Sequence, residues 1–164
     1  MNIFITDLNP IVAAQNLCDI HIPKMLLEST QMLSNAFHLN NPNLAPCAKS
    51  MIKHPCSVWA LESRQNFSWL LSHTIEINNE YTKRFNKIHS YDPKIEFISK
   101  NHKSLSFEKH DLTPHVQVMP KIYHGQNVVS AYRSYYVAEK NFAKWRHGTQ
   151  APDWYTNAFN QSNV

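Results

Sequence analysis

Side chains that could move protons or attack carbon crowd into the first third of this sequence. They fall in two short segments, residues 18–24 and 53–56, which together carry thiols, carboxyl, imidazole and amine groups. Carboxylates and imidazoles act as general acids and bases, and an amine or a thiolate can attack an electrophilic carbon. The sequence therefore predicts a reactive site built from these two segments.

The first segment opens the clearest helix of the sequence. Pro23 suits a first helical turn, so the helix is predicted to begin near residues 19–22 and to end before the Asn- and Pro-rich residues 40–46. One side repeats apolar residues with the helical period: Ile22, Met25, Leu26, Met32, Leu33, Ala36 and Phe37. Another side carries polar residues three and four apart: His21, Lys24, Glu28, Gln31 and Asn35.

This polar side has two interpretations. In the first, Lys24 is partly desolvated beside His21 and acts as a nucleophile, with Asp19 or Glu28 carrying the proton. In the second, the side chains form a solvated surface on which Lys24 and Glu28 make an ion pair one helical turn apart. The pattern alone favours the second.

The cysteines and histidines allow a metal site as an alternative. Cys18, His21, His54 and Cys56 could hold zinc tetrahedrally, although neither pair has the common Cys-x-x-Cys spacing. Buried thiols that pack as small apolar groups are the simpler expectation. His54 precedes a predicted helix start, where it could bind phosphate or cap the helix.

Composition narrows the class of protein. The chain has 164 residues, enough for one domain with a single core, and only two glycines, which excludes Gly-rich nucleotide-binding loops. The formal net charge is +4, which suits a polyanionic partner without requiring one. Three cysteines cannot all pair within the chain, and no apolar run is long enough for a membrane span, so we expect a protein of the reducing cytoplasm.

The remaining pattern predicts a mainly α, single-domain protein over residues 1–164. We expect residues 2–6 as an arm or edge strand, a short helix over 11–17, a third helix from about 55 to about 85, and a last helix over 128–144. Residues 89–125 are expected to be a long irregular segment with short helical or extended pieces, and residues 157–164 a frayed tail. Aromatic and basic residues interleave in the C-terminal half, as in proteins that stack on unpaired bases.

Three segments carry a resemblance to a known family. Residues 13–24 (AAQNLCDIHIPK), 53–56 (KHPC) and 152–155 (PDWY), with the interval between His21 and His54, resemble the small phage and bacterial pyrimidine-dimer DNA glycosylases of the endonuclease V type. The resemblance implies a compact helical fold that binds duplex DNA and flips a base. It also implies an amine that attacks the sugar C1′ and can cleave the strand through a Schiff base, with Lys24 holding a phosphate.

Two positions depart from that family. A helix carboxylate is central to its catalysis, but the matching position is His21, with Asp19 the nearest acid. Its usual nucleophile is the amine exposed when Met is removed before a small residue, whereas Asn2 follows Met1 here. Lys24 could supply the amine instead, water could replace it, the reaction could be lost, or the substrate could be a different modified base.

We therefore expect a phage-type DNA-repair hydrolase that cleaves the N-glycosidic bond of a damaged or modified base, without a cofactor. The expected catalytic residues are Asp19, His21, Lys24, Glu28 and His54. The expected DNA contacts are Lys24, Lys53, Arg64, Arg84, Arg133, Tyr136 and Lys140. The alternatives are a non-catalytic nucleic-acid-binding protein, or a nucleotide- or base-modifying enzyme with zinc held by Cys18, His21, His54 and Cys56.

Overall fold

Seven α-helices carry the fold in the computed structural model of this protein, which describes residues 1–160. In chain order they are α1 (Pro10–Gln15), α2 (His21–Asn40), α3 (Pro55–Glu62), α4 (Arg64–Phe85), α5 (Asp92–Asn101), α6 (Val128–Glu139) and α7 (Asp153–Asn160). Over residues 1–160 the only β pairing is an isolated bridge between Ser63 and Lys109. The mainly helical prediction is confirmed.

The long helices α2 and α4 pack against each other at the centre, and α1 packs on α4. The apolar side predicted for α2 is buried, from Ile22 to Phe37. Asn9 caps α1 by accepting the Ile11 N–H at 2.9 Å, and Pro10 occupies the first turn. None of the helices described over residues 1–160 combines the length and apolarity that crossing a membrane requires.

The predicted third helix is wrong in one respect, because it is two helices. Ser63 is extended, with φ −145° and ψ 161°, and separates α3 from α4. Its Oγ accepts the Asn66 N–H at 3.1 Å, so it caps the N-terminus of α4. Ser63 lies four residues from Trp59 and from Phe67, so it continues the helical period of these aromatic residues, and the period concealed the break.

The irregular segment contains one α-helix, and the last helix ends before its predicted boundary. The segment expected to be irregular contains α5, which begins at Asp92–Pro93 and buries Ile95 and Ile98 near α2 and α4. The last predicted helix ends at Glu139, five residues early, where the chain turns. The aromatic C-terminal segment is helical and packs on the rest of the protein through buried Tyr155. Of the predicted frayed tail, residues 157–160 belong to α7, and residues 161–164 lie outside the described chain.

The N-terminal arm, residues 1–6, is buried and is not a strand. Ile3, Phe4 and Ile5 belong to the core. Arg133 on α6 holds the end of the arm by donating from Nε to the Thr6 carbonyl at 2.8 Å. The arm therefore places the chain terminus at a fixed position beside α2.

Buried histidines make the stability of this fold pH-dependent. Burial lowers the pKa of His73 from 6.5 to about 4, while its Nδ1–H donates to the Pro10 carbonyl at 2.9 Å. The unfolded chain consequently binds more protons between pH 6.5 and 4, so stability is fully present above this range and falls as the pH drops through it. We expect the free energy of unfolding in urea to fall between pH 7.5 and pH 5, by about 2 kcal/mol from His73 alone.

The matched variant is His73→Asn, whose amide keeps a donor for the Pro10 carbonyl. It should show a shallower decline between the same two pH values. An equally steep decline in the variant would contradict the assignment to His73.

Candidate functional site

A polar pocket of about 270 Å³ lies between the N-terminal arm, the first turns of α2 and the end of α6. Its polar and aromatic lining consists of Met1, Asn2, Phe4, His21, Lys24, Glu28, Tyr135 and Lys140. Three of the predicted catalytic residues, His21, Lys24 and Glu28, therefore share one pocket. The polar side of α2 is not a solvated surface at this end, since His21 is buried and Glu28 is only partly exposed.

The α-amino group of Met1 pairs with the carboxylate of Glu28. The amino nitrogen lies 3.7 Å from Glu28 Oε2, and the ion pair of Lys24 with Glu28 expected for a solvated helix is replaced by this contact. The Met1 side chain is 3% exposed while the residue as a whole is partly exposed, so its backbone atoms are the part that reaches the surface. A carboxylate thus lies beside a primary amine at the pocket wall.

Asn2 fixes this terminus through its side chain. Its Oδ1 accepts the N–H groups of Ile3 at 2.8 Å and Phe4 at 3.1 Å, and its Nδ2 donates to the Val118 carbonyl at 2.7 Å. The Asn2 backbone N–H also donates to Glu28 Oε2 at 3.2 Å. Asn at this position therefore has a positioning role that a small residue could not perform.

Phe4 adopts a backbone conformation that is costly for a bulky residue. Its φ is +56°, in the left-handed region that favours glycine. The ring is held by stacking on His21, with centroids 4.8 Å apart and planes at 16°, and by an edge contact with Tyr136 at 5.3 Å. Such strain persists only where surrounding contacts enforce it, and it is concentrated at functional sites.

His21 is held by a buried hydroxyl. Its Nδ1 lies 2.6 Å from the Tyr136 hydroxyl, which also accepts the Cys18 N–H at 3.0 Å. Burial, followed by the nearby charges of Lys140 and Lys24, lowers the pKa of His21 to about 4, while burial raises the pKa of Tyr136. The neutral imidazole therefore accepts a hydrogen bond from the Tyr136 hydroxyl at Nδ1 and carries its own proton on Nε2.

Without the Tyr136 hydroxyl, the His21 imidazole should no longer be held in the Nε2–H tautomer. In Tyr136→Phe the Cys18 N–H and His21 Nδ1 both lose their partner, which should lower the free energy of unfolding by about 1–3 kcal/mol. Nitrogen NMR of the imidazole should report the Nε2–H form in the parent protein and a shift in tautomer population in the variant. An unchanged imidazole spectrum would contradict the assigned hydrogen bond.

Two lysines make the pocket cationic. Lys24 is exposed on α2, and Lys140 follows α6 with its ammonium 4.9 Å from the centroid of the Tyr135 ring. After burial, the charges of Lys140 and Lys24 also lower the pKa of His21. This charge suits an anionic group at the pocket mouth.

Asp19 and His54 lie outside this pocket. The Asp19 carboxylate is held by Arg84 Nη1 at 3.3 Å and by the Arg146 N–H at 3.0 Å. His54 Nδ1 accepts the Cys56 N–H at 3.2 Å, so His54 caps α3. Of the two interpretations of His54, the structure shows the cap.

Most of the predicted DNA-contacting residues make internal contacts instead. Arg84 and Tyr136 are buried, so their assignment to a DNA surface is wrong for this fold. Arg64 donates to the Leu105 carbonyl and lies over Phe107, and Arg133 holds the N-terminal arm. Lys24, Lys140 and Lys53 keep charge near the surface, with Lys53 at a separate groove formed by the end of α2 and by α3.

The zinc alternative lacks its ligand set. Across residues 1–160, no three side chains of His, Cys, Asp or Glu form a group that could hold a metal ion. Burial raises the pKa of the Cys56 thiol to about 12, which opposes the thiolate that zinc binding needs. Cys18 and Cys56 are buried free thiols, packed as small apolar side chains.

Met1, Phe4 and Tyr135 are among the pocket residues that were not predicted as site residues. The Met1 amine and Phe4 depend on how the N-terminal arm folds back over α2. Tyr135 could have been found, because it belongs to the interleaved aromatic and basic residues of α6. Comparison of the chain with protein-family models, with curated proteins and with solved structures found no match.

Proposed function

We propose that this protein is a DNA glycosylase of the endonuclease V type that attacks the sugar C1′ of a damaged or modified nucleotide with its N-terminal amine. The observation that carries the proposal is the Met1 amino group, 3.7 Å from the Glu28 carboxylate at the wall of a cationic pocket. A primary amine beside a carboxylate is the pair that imine chemistry at a sugar carbon needs.

The reaction can be written from these two groups. The neutral amine forms a bond to C1′ while the bond from C1′ to the base breaks, and the electron pair leaves with the base. Glu28 accepts a proton from the attacking nitrogen. Glu28 returns this proton to O4′ as the sugar ring opens, which gives a Schiff base at C1′, and the departing base takes a proton from water. Glu28 then accepts the C2′ proton, and the electron pair left behind expels the 3′ phosphate and cleaves the strand.

The geometry favours the terminal amine over Lys24 as the nucleophile. The Asn2 side chain fixes the arm, and Glu28 holds the amine. The amine therefore loses little conformational entropy when it reacts. If Met1 is removed, the nitrogen of Asn2 becomes the terminal amine and lies 3.2 Å from the same carboxylate. Lys24 and Lys140 are then available for the phosphates.

His21 has a different role from the glutamate that the family carries at this position. As a neutral imidazole with its proton on Nε2, it can donate a hydrogen bond to a carbonyl oxygen of the base. Charge develops on such an oxygen as a pyrimidine leaves C1′, so this donor would strengthen in the transition state. Glu28, two helical turns further along α2, supplies the carboxylate.

Borohydride trapping tests the proposal. The purified protein is incubated with duplexes that carry a pyrimidine dimer, an abasic site or a modified pyrimidine, and covalent adducts and strand cleavage are measured with and without borohydride. We expect trapped adducts with at least one substrate, retained in Lys24→Arg and lost when two residues are added before Met1.

The alternative functions give different results in the same experiment. Salt-dependent DNA binding with no adduct and no product from any substrate would identify a non-catalytic nucleic-acid-binding protein. Adducts that persist in the extended protein and vanish in Lys24→Arg would assign the amine to Lys24. The absence of DNA binding would overturn the proposal.

A further inference from the structure

Two large apolar side chains are exposed next to the candidate site. Ile20, just before α2, is 62% exposed, and Phe142, just after α6, is 50% exposed. The Phe142 ring lies 6.1 Å from the His21 ring, edge to face at 85°. Both residues line one cleft of about 430 Å³, together with Asp19, Lys144 and Arg146.

The turn that carries Phe142 is firmly anchored on both sides. The Ala143 N–H donates to the Lys140 carbonyl at 2.8 Å, which closes a turn with Phe142 in its centre. Beyond the turn, the Lys144 carbonyl accepts the Asp19 N–H at 2.9 Å, and Trp145 Nε1 donates to the Asn16 carbonyl at 3.2 Å. This turn leaves half of the Phe142 surface in solvent, where it contributes little to the core.

The charges around this apolar pair are positive. Lys144 and Arg146 are exposed at the cleft, and Lys24 and Lys140 line the neighbouring pocket. The one carboxylate in the cleft lining, that of Asp19, is compensated by Arg84, by the Arg146 N–H and by the exposed Arg146 guanidinium, whose Nε lies 3.8 Å from Asp19 Oδ2. An apolar tip surrounded by cations matches a partner with flat apolar bases inside a phosphate backbone.

We propose that Phe142 and Ile20 form a wedge that enters a base step of duplex DNA and fills the gap left by the flipped nucleotide, while Lys144 and Arg146 contact the flanking phosphates. This inference rests on the proposed function and adds the means by which a base leaves the duplex. Apolar wedges of this kind unstack a base step, and contacts to the bent duplex offset the cost of unstacking.

The test compares duplex with single-stranded substrate, because a wedge is needed only where a base must leave a stack. Single-turnover strand cleavage by Phe142→Ala is measured on a base-bearing substrate, a pyrimidine dimer or a modified pyrimidine, in duplex and in single-stranded form. We expect the rate on the duplex to fall by about 10- to 100-fold, the range that one base–aromatic stack accounts for. The rate on the single strand should stay close to that of the parent protein.

The matched control is Leu39→Ala, which shortens an equally exposed apolar side chain at the far end of α2. Leu39 is 61% exposed and lies about 27 Å along the helix from His21. It should leave both rates unchanged. A second readout is the fluorescence of 2-aminopurine placed beside the target nucleotide, which should rise on binding to the parent protein and not to Phe142→Ala.

The outcomes separate the wedge from the proposed function. If Phe142→Ala keeps the duplex rate and the 2-aminopurine signal, or loses both rates equally, the wedge is wrong while the glycosylase proposal stands. If the parent protein binds duplex but cleaves nothing, the fluorescence alone decides the wedge and the glycosylase proposal fails. If the parent protein binds no duplex, both fail.

Discussion

Replacing Glu28 with Gln should reduce the single-turnover rate of strand cleavage, and the yield of borohydride-trapped adduct, by about 10²- to 10⁴-fold. Glu28 is the carboxylate beside the Met1 amine, and Gln cannot accept the proton that the attacking nitrogen must lose. The fold should survive, because the Gln carbonyl oxygen can still accept the Asn2 N–H that Glu28 now accepts at 3.2 Å.

The control for this variant is Glu96→Gln on α5. Glu96 is also ion-paired on a helix, with Lys100, but the pair is exposed and remote from the pocket. Exposed pairs contribute little to stability, so this variant should match the parent protein in rate and in thermal melting. A Glu28→Gln rate within about threefold of the parent would contradict the role of the carboxylate, since proton transfer by a positioned side chain contributes far more.

Arg84→Met should lower the free energy of unfolding in urea by about 3–5 kcal/mol. The guanidinium is buried and donates to Glu80 Oε2 at 2.7 Å and to the carbonyls of Leu17 at 2.6 Å and Gln15 at 3.0 Å. Its loss leaves the carboxylate of Glu80, which is 2% exposed, without its buried partner. The substitution also removes the hydrogen bonds that hold residues 15–19, the segment that leads into α2.

A double variant separates this ion pair from packing. Arg84→Met with Glu80→Leu removes both charges, and it should recover part of the lost stability because no unpaired charge stays buried. Lys100→Met breaks the exposed pair with Glu96 and should cost under about 1 kcal/mol. A loss of less than about 1 kcal/mol in Arg84→Met itself would contradict the buried network.

Local pattern was sufficient to predict the parts of the fold that depend on local physics. The apolar period of α2 and Pro23 in its first turn both act within a few residues of one another. The break at Ser63 was missed because a serine on an apolar side fits the helical period and also caps a helix. The bounds of α5 were not predicted within residues 89–125, although Pro93 is favourable in the first turn of a helix.

The candidate site was predictable only in part for the same reason. The helical period places Lys24 and Glu28 on one side of α2, and the structure shows them in one pocket with His21. The pairing of Glu28 with Met1, and of His21 with Tyr136, joins residues far apart in sequence, which no local period encodes. Arg84 was misassigned to a DNA surface because a sequence shows its charge but not its burial.

The most direct measurement identifies the amine of the protein to which the sugar carbon C1′ becomes attached. Borohydride-reduced adduct is digested with protease, and the modified peptide is sequenced by mass spectrometry. The account predicts that the sugar is attached to the α-amino group of the N-terminal residue, whether that residue is Met1 or Asn2. Attachment to the side-chain amine of Lys24 or Lys140 would contradict it, as would the absence of any adduct on every substrate.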